Sequence, residues 1–116
     1  MGLYNFNPRF VPCIESGRKT HTIRAKRRYA DAVGSTLYLY TGLRQKGARL
    51  IRKTECTAVH EIIIYSENGG IAVDGVRLGS DECHALAVSD GFTSFSEMLL
   101  FWKGRLPFVG NIIHWS

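Results

Sequence analysis

Polar and apolar residues alternate with a period of two through Thr36 to Tyr40, TLYLY, which predicts a half-buried strand opened by the turn residue Gly34. The β-branched residues Thr20, Thr22 and Ile23 predict another strand within Lys19 to Ala25. The stretch from Ala48 to Tyr65, rich in Ile, Val and Thr, predicts one or two more, with a bend near His60 and Glu61 and a turn at Asn68, Gly69 and Gly70. Leu3 to Phe6 predicts a short opening strand, and Phe108 to Trp115 a closing one.

Two further segments follow a helical period. Ser80 is placed to cap a helix with Asp81 and Glu82 in its first turn and Cys83, Leu86 and Ala87 on its apolar side, stopped by Gly91. Ser94 with Glu97 forms a capping-box pattern, and Phe95, Met98, Leu99 and Trp102 then make an apolar stripe that ends before Gly104 and Pro107. That stripe is expected in the core rather than as a base-stacking platform. Near the N-terminus, Asn7 and Pro8 start a short helix stopped by Gly17, and Pro12 makes it irregular by removing a hydrogen bond.

The order is strand, helix, several strands, two helices, strand. It predicts an α+β fold, a small, partly closed β-barrel whose openings are covered by flanking helices. At 116 residues, with no repeat or linker-like stretch, the chain reads as one domain spanning 1–116. A hydrophobic content of 45% against 22% charged residues matches a globular chain and argues against disorder. No apolar run is long enough to cross a membrane and the start MGLYNFNPRF lacks a signal-peptide pattern, so a soluble, cytoplasmic protein without a membrane partner is expected. Cys13, Cys56 and Cys83 are an odd, widely spaced set, which fits reduced thiols. Cys83 and His84 are adjacent, but a zinc site needs three or four converging ligands; neither a metal nor a cofactor is expected.

Charge points to a polyanion. Fifteen Lys and Arg against ten Asp and Glu give a net charge of +5, with basic residues gathered from Arg18 to Arg28 and again from Arg44 to Lys53.

Four segments carry a family likeness: GRKTHTIR at Gly17 to Arg24, VGSTLYLY at Val33 to Tyr40, DGF at Asp90 to Phe92, and PFVGNIIHW at Pro107 to Trp115. Taken in order, this set resembles the ASCH domain family over nearly the whole chain. The resemblance implies a PUA-like β-barrel that binds RNA or a modified nucleoside in a basic cleft. Lys19, Arg24, Lys26, Arg27 and Arg28 are the candidate nucleic-acid contacts, and Tyr38 and Tyr40 can stack on a base if they face the cleft.

A bacterial branch of that family removes acetyl from N4-acetylcytidine with a lysine, a threonine three residues later and a downstream carboxylate. Lys19 and Thr22 match the first pair, and Asp90 stands where that branch carries glutamate. In the amidohydrolase this implies, Thr22 is the nucleophile, Lys19 the base and Asp90 the acid or an orienting group. Residues three apart on a regular strand face opposite ways, so Lys19 and Thr22 converge only if Lys19 lies in a turn or the strand bulges. His21 adds a group that titrates near neutrality. Acid–base cleavage of RNA by Lys, His and carboxylate groups, and a non-catalytic interaction module, are the remaining alternatives.

Overall fold

A computed structural model describes residues 2–27, 31–43, 45–65 and 70–115. Seven strands run through them: β1 (Gly2–Phe6), β2 (His21–Arg24), β3 (Thr36–Thr41), β4 (Arg49–Ile64), β5 (Ile71–Val73), β6 (Val76–Arg77) and β7 (Phe108–Trp115). They form one mixed sheet. β1 lies parallel to β3, and β3 runs antiparallel to β4. β4 is the hub: its second half carries both β5 and β7, and β7 carries β2 on its other edge. The sheet is not closed, since no ladder among the described residues joins β2 to β1. The α+β class therefore stands in the structure, without the closure of a barrel.

The alternation that predicts β3 is realised directly. Leu37 and Leu39 are fully buried, while Tyr38 and Tyr40 between them lie half-buried on the opposite parity. The Ala48-to-Tyr65 stretch is one strand, and its irregularities fall elsewhere than at His60 and Glu61. Register slips opposite Leu39/Tyr40 and again between Cys56 and Ala58, where an extra residue on β4 bends the strand between its two sets of partners. Of the turn expected at Asn68, Gly69 and Gly70, the first two lie outside the described residues, and Gly70 adopts φ +74°.

The first helix is irregular, as Pro12 predicts: a 3-10 turn over Pro8–Phe10 runs into α1 (Val11–Glu15), with Asn7 capping through its side chain onto Arg9 N. α2 (Ser80–Ser89) begins one residue earlier than expected, because Gly79 rather than Ser80 is the cap and Glu82 reaches back to accept its N–H at 3.0 Å. α3 (Phe95–Trp102) is capped by Ser94, whose Oγ accepts from Glu97 N at 3.1 Å. The Glu97 carboxylate does not complete a capping box; it takes the Thr93 hydroxyl and the Arg9 guanidinium, each at 2.8 Å. Met98 and Trp102 face the core with Cys83 and Ala87 of α2, so the apolar stripe packs as its spacing dictates. Among the described residues, no helix is long and apolar enough to cross a membrane.

Candidate functional site

Segment 17–20 leaves α1 through Gly17, which adopts the left-handed φ of +81°, and is then strapped down by its own backbone. Lys19 N donates to the Cys13 carbonyl and Trp115 N to the Thr20 carbonyl, both at 2.9 Å. Lys19 therefore lies two residues ahead of β2 and escapes strand alternation. Thr22 and Arg24 lie inside β2, two apart and on one face. The turn, not a bulge, lets Lys19 and Thr22 line the same cavity.

Lys19 is 3% exposed and Asp90, the residue that ends α2, is 5% exposed. Lys19 Nζ donates to both the backbone oxygen and Oδ1 of Asp90, each at 2.6 Å. Burial draws the lysine pKa below its ordinary value, against the attraction of Asp90. At Asp90 burial works to raise the carboxyl, but Lys19 and His21 outweigh it and hold the pKa below the usual carboxylate range. His21 Nε2 stands 3.2 Å from Asp90 Oδ1, within ion-pair distance but off the line of a regular hydrogen bond. Gly91 follows Asp90 at φ +104°, and a Cβ there would meet the Phe10 ring at 2.9 Å, so the turn that aims Asp90 at Lys19 requires glycine.

Lys19, Thr22, Arg24 and Asp90 all line one cavity of about 340 Å³. Its walls are aromatic, with Phe6, Phe10, Phe101, Trp102 and Phe108 contributing. The Lys19 ammonium lies 4.9 Å from the centre of the Phe10 ring, and the Arg24 guanidinium 4.8 Å from that of Phe6. Arg24 Nε donates to Thr22 Oγ1 at 3.0 Å, and its Nη2 crosses the open seam to the Asn5 carbonyl of β1 at 2.7 Å. Trp102 is core and cavity wall at once, and its buried indole N–H has no acceptor among the described residues.

The other residues singled out from the sequence lie apart from this cavity. Lys26 pairs with Glu61 at 2.5 Å on the surface. Arg27 donates to the Leu3 carbonyl at 2.8 Å and lies 4.0 Å from the centre of the Tyr4 ring, beside the cavity rather than in its lining. Tyr38 and Tyr40 do not line it, and Tyr38 sits under Lys53 across the ladder to β4. Arg28, like Arg44 of the second basic cluster, lies outside the described residues.

Sequence reasoning did not foresee a row of imidazoles leading away from Asp90. His21 is paired in register with His114 of β7, their rings 5.2 Å apart, and His60 of β4 lies 5.9 Å further on. His60 Nδ1 closes the row on Asp74 at 2.7 Å. Burial, with His21 and His60 nearby, pushes the His114 pKa down to about 4. Among the described residues, no group of three or more His, Cys, Asp or Glu side chains is arranged to hold a metal ion. Arg105, also unforeseen, lies 4.4 Å from the Trp102 ring at the edge of the cavity.

Comparison with protein-family models, curated proteins and solved structures gives no match for this chain.

Proposed function

We propose that the aromatic cavity binds the base of RNA or of a modified nucleoside. The observation that carries this reading is the convergence on one cavity of Lys19, Thr22, Arg24 and Asp90, drawn from two segments about seventy residues apart and walled by aromatic rings. A volume of about 340 Å³ falls at the small end of the roughly 300–1,000 Å³ typical of ligand sites, which suits one nucleoside. Flat apolar walls favour a planar ring, while the ammonium, guanidinium and hydroxyl supply the few directional contacts that tell one base edge from another. Likeness to the ASCH motifs agrees with this reading and extends it to a PUA-like barrel, with β2 and β1 as the edges that approach one another.

Deacylation is the second reading, favoured by one contact. The donor from Arg24 onto Thr22 Oγ1 stabilises an alkoxide at that atom, and Lys19 and Asp90 line the same cavity. Thr22 Oγ would attack the acetyl carbonyl of N4-acetylcytidine, passing its proton to Lys19 once that amine is neutral. The cytosine amine would leave with a proton from the Lys19–Asp90 pair, and water would release acetate from Thr22. Incubating the protein with N4-acetylcytidine and with labelled single-stranded RNA, followed by product analysis and a binding isotherm for each, separates the readings. Binding without product supports recognition alone, cytidine plus acetate supports deacylation, and shortened RNA supports a nuclease. Binding of neither compound contradicts the proposal.

A further inference from the structure

A second concavity of about 290 Å³ opens beside the aromatic cavity and shares Asn5 and Arg24 with it. Leu3, Arg27, Gly42, Leu43 and Gln45 complete its lining. Two arginines share it. Several of the described cations are answered by carboxylates: Arg9 by Glu97, Lys19 by Asp90, Lys26 by Glu61 and Arg49 by Glu15. Arg24 and Arg27 are held together on the Tyr4 ring, 5.4 and 4.0 Å from its centre, and their hydrogen bonds go to neutral oxygens of Thr22, Asn5 and Leu3. Among the described residues no carboxylate forms an ion pair with either. Asp31 lines a smaller cleft with both arginines, but it is engaged by the Tyr4 hydroxyl.

Two like charges kept close repel one another, and burial together with Arg27 draws the Arg24 pKa below its ordinary value. Such an arrangement is favourable when an anion sits between the forks. Each guanidinium has five N–H donors and commits one or two of them to partners among the described residues, which leaves paired donors of the kind that phosphate oxygens accept.

We propose that this second concavity is a phosphate subsite, and that the ligand of the aromatic cavity is a nucleotide rather than a free nucleoside. The proposal rests on the nucleoside reading of that cavity. Arg24 stands at the join of the two spaces, so base and phosphate of one nucleotide occupy them together.

The test is calorimetric titration of N4-acetylcytidine, its 5′- and 3′-monophosphates, a dinucleotide containing it, and ribose 5-phosphate. A phosphate should raise affinity at least tenfold over the nucleoside, and the gain should shrink as salt rises. Arg27→Gln should bring nucleotide affinity down to that of the nucleoside, and Arg27→Lys, which keeps the charge but loses the fork, should fall between. Tightest binding by the dinucleotide assigns the phosphate to an RNA backbone, and by a monophosphate to a free or terminal nucleotide. Equal affinity for nucleoside and nucleotides overturns the phosphate subsite and leaves the base reading intact. Ribose 5-phosphate bound by the unmodified protein and lost in Arg27→Gln, with no nucleoside binding, sustains the subsite and removes the base reading. No binding by any phosphorylated probe overturns the proposal.

Discussion

Lys19 Nζ bonds both the side chain and the backbone oxygen of Asp90, seventy-one residues along the chain, in a setting nearly closed to solvent. A buried ion pair of this kind contributes little net stability while whole and costs much when broken, because the surviving charge has no water to turn to. Asp90→Ala is predicted to lower unfolding stability by about 3–5 kcal/mol. The double change Lys19→Met with Asp90→Leu should cost clearly less than the sum of its two single changes. Urea denaturation of Asp90→Ala, of the two single changes and of the double change measures this, and additive losses would show that the two groups do not act as a pair.

Stability should also fall on mild acidification, and His114 sets the window. Its folded pKa is pushed down to about 4, against about 6.5 for an unfolded histidine, so between those values the unfolded state takes up the proton and the folded state does not. Unfolding free energy should therefore decline as pH drops from about 6.5 to about 4. His114→Gln should flatten that part of the curve. Asp90 adds a loss at lower pH, since its depressed pKa gives stability that disappears as the carboxylate is protonated. Thermal midpoints taken every half unit resolve the two, and a profile of His114→Gln that matches the unmodified protein would count against His114.

Trp102 closes the cavity with Phe108, their ring centres 4.5 Å apart, and is 6% exposed. Trp102→Ala should cost about 3–5 kcal/mol through the void it leaves. Trp102→Phe should keep most of the stability, because an aromatic ring still fills much of that space. An unchanged denaturation midpoint for the alanine variant would place the residue outside the core.

At Gly91 both backbone angle and space exclude a side chain: φ is +104°, and a Cβ would meet Phe10 at 2.9 Å. Gly91→Ala should destabilise by more than about 1 kcal/mol and should loosen the Lys19–Asp90 contact. Exchange of the Asp90 and Phe92 amides reports it; unaltered protection would contradict the account.

Local patterns in the sequence carry the elements well. Leu37 and Leu39 alternate with Tyr38 and Tyr40 as β3 requires, and Ser94 begins α3 where the capping pattern sets it. Asp74 and Gly75 are a legible hairpin signal too: both take positive φ between β5 and β6, although the Ile71-to-Arg77 hairpin is not among the elements read from the sequence. Cross-strand partnership is beyond such patterns. The row from His21 through His114 to His60 depends on the register of β2 and β4 against β7, and the bulge at Thr57 shifts that register by one residue. For the site, Lys19, Thr22, Arg24 and Asp90 were read from motif likeness, and the structure brings them to one cavity. The aromatic wall was not foreseen, because Phe6, Phe10, Trp102 and Phe108 come from β1, the 3-10 turn, α3 and β7, and only packing unites them.

The central claim, that the aromatic cavity receives a nucleoside base, is tested most directly by titrating N4-acetylcytidine into the ¹⁵N-labelled protein and following amide and indole resonances. The account predicts perturbations at Lys19 to Arg24, at Asp90 to Phe92 and at the Trp102 indole, with Tyr38 and Tyr40 unmoved. Shifts confined to the Tyr38 and Tyr40 face of β3, or none at saturating nucleoside, would contradict it.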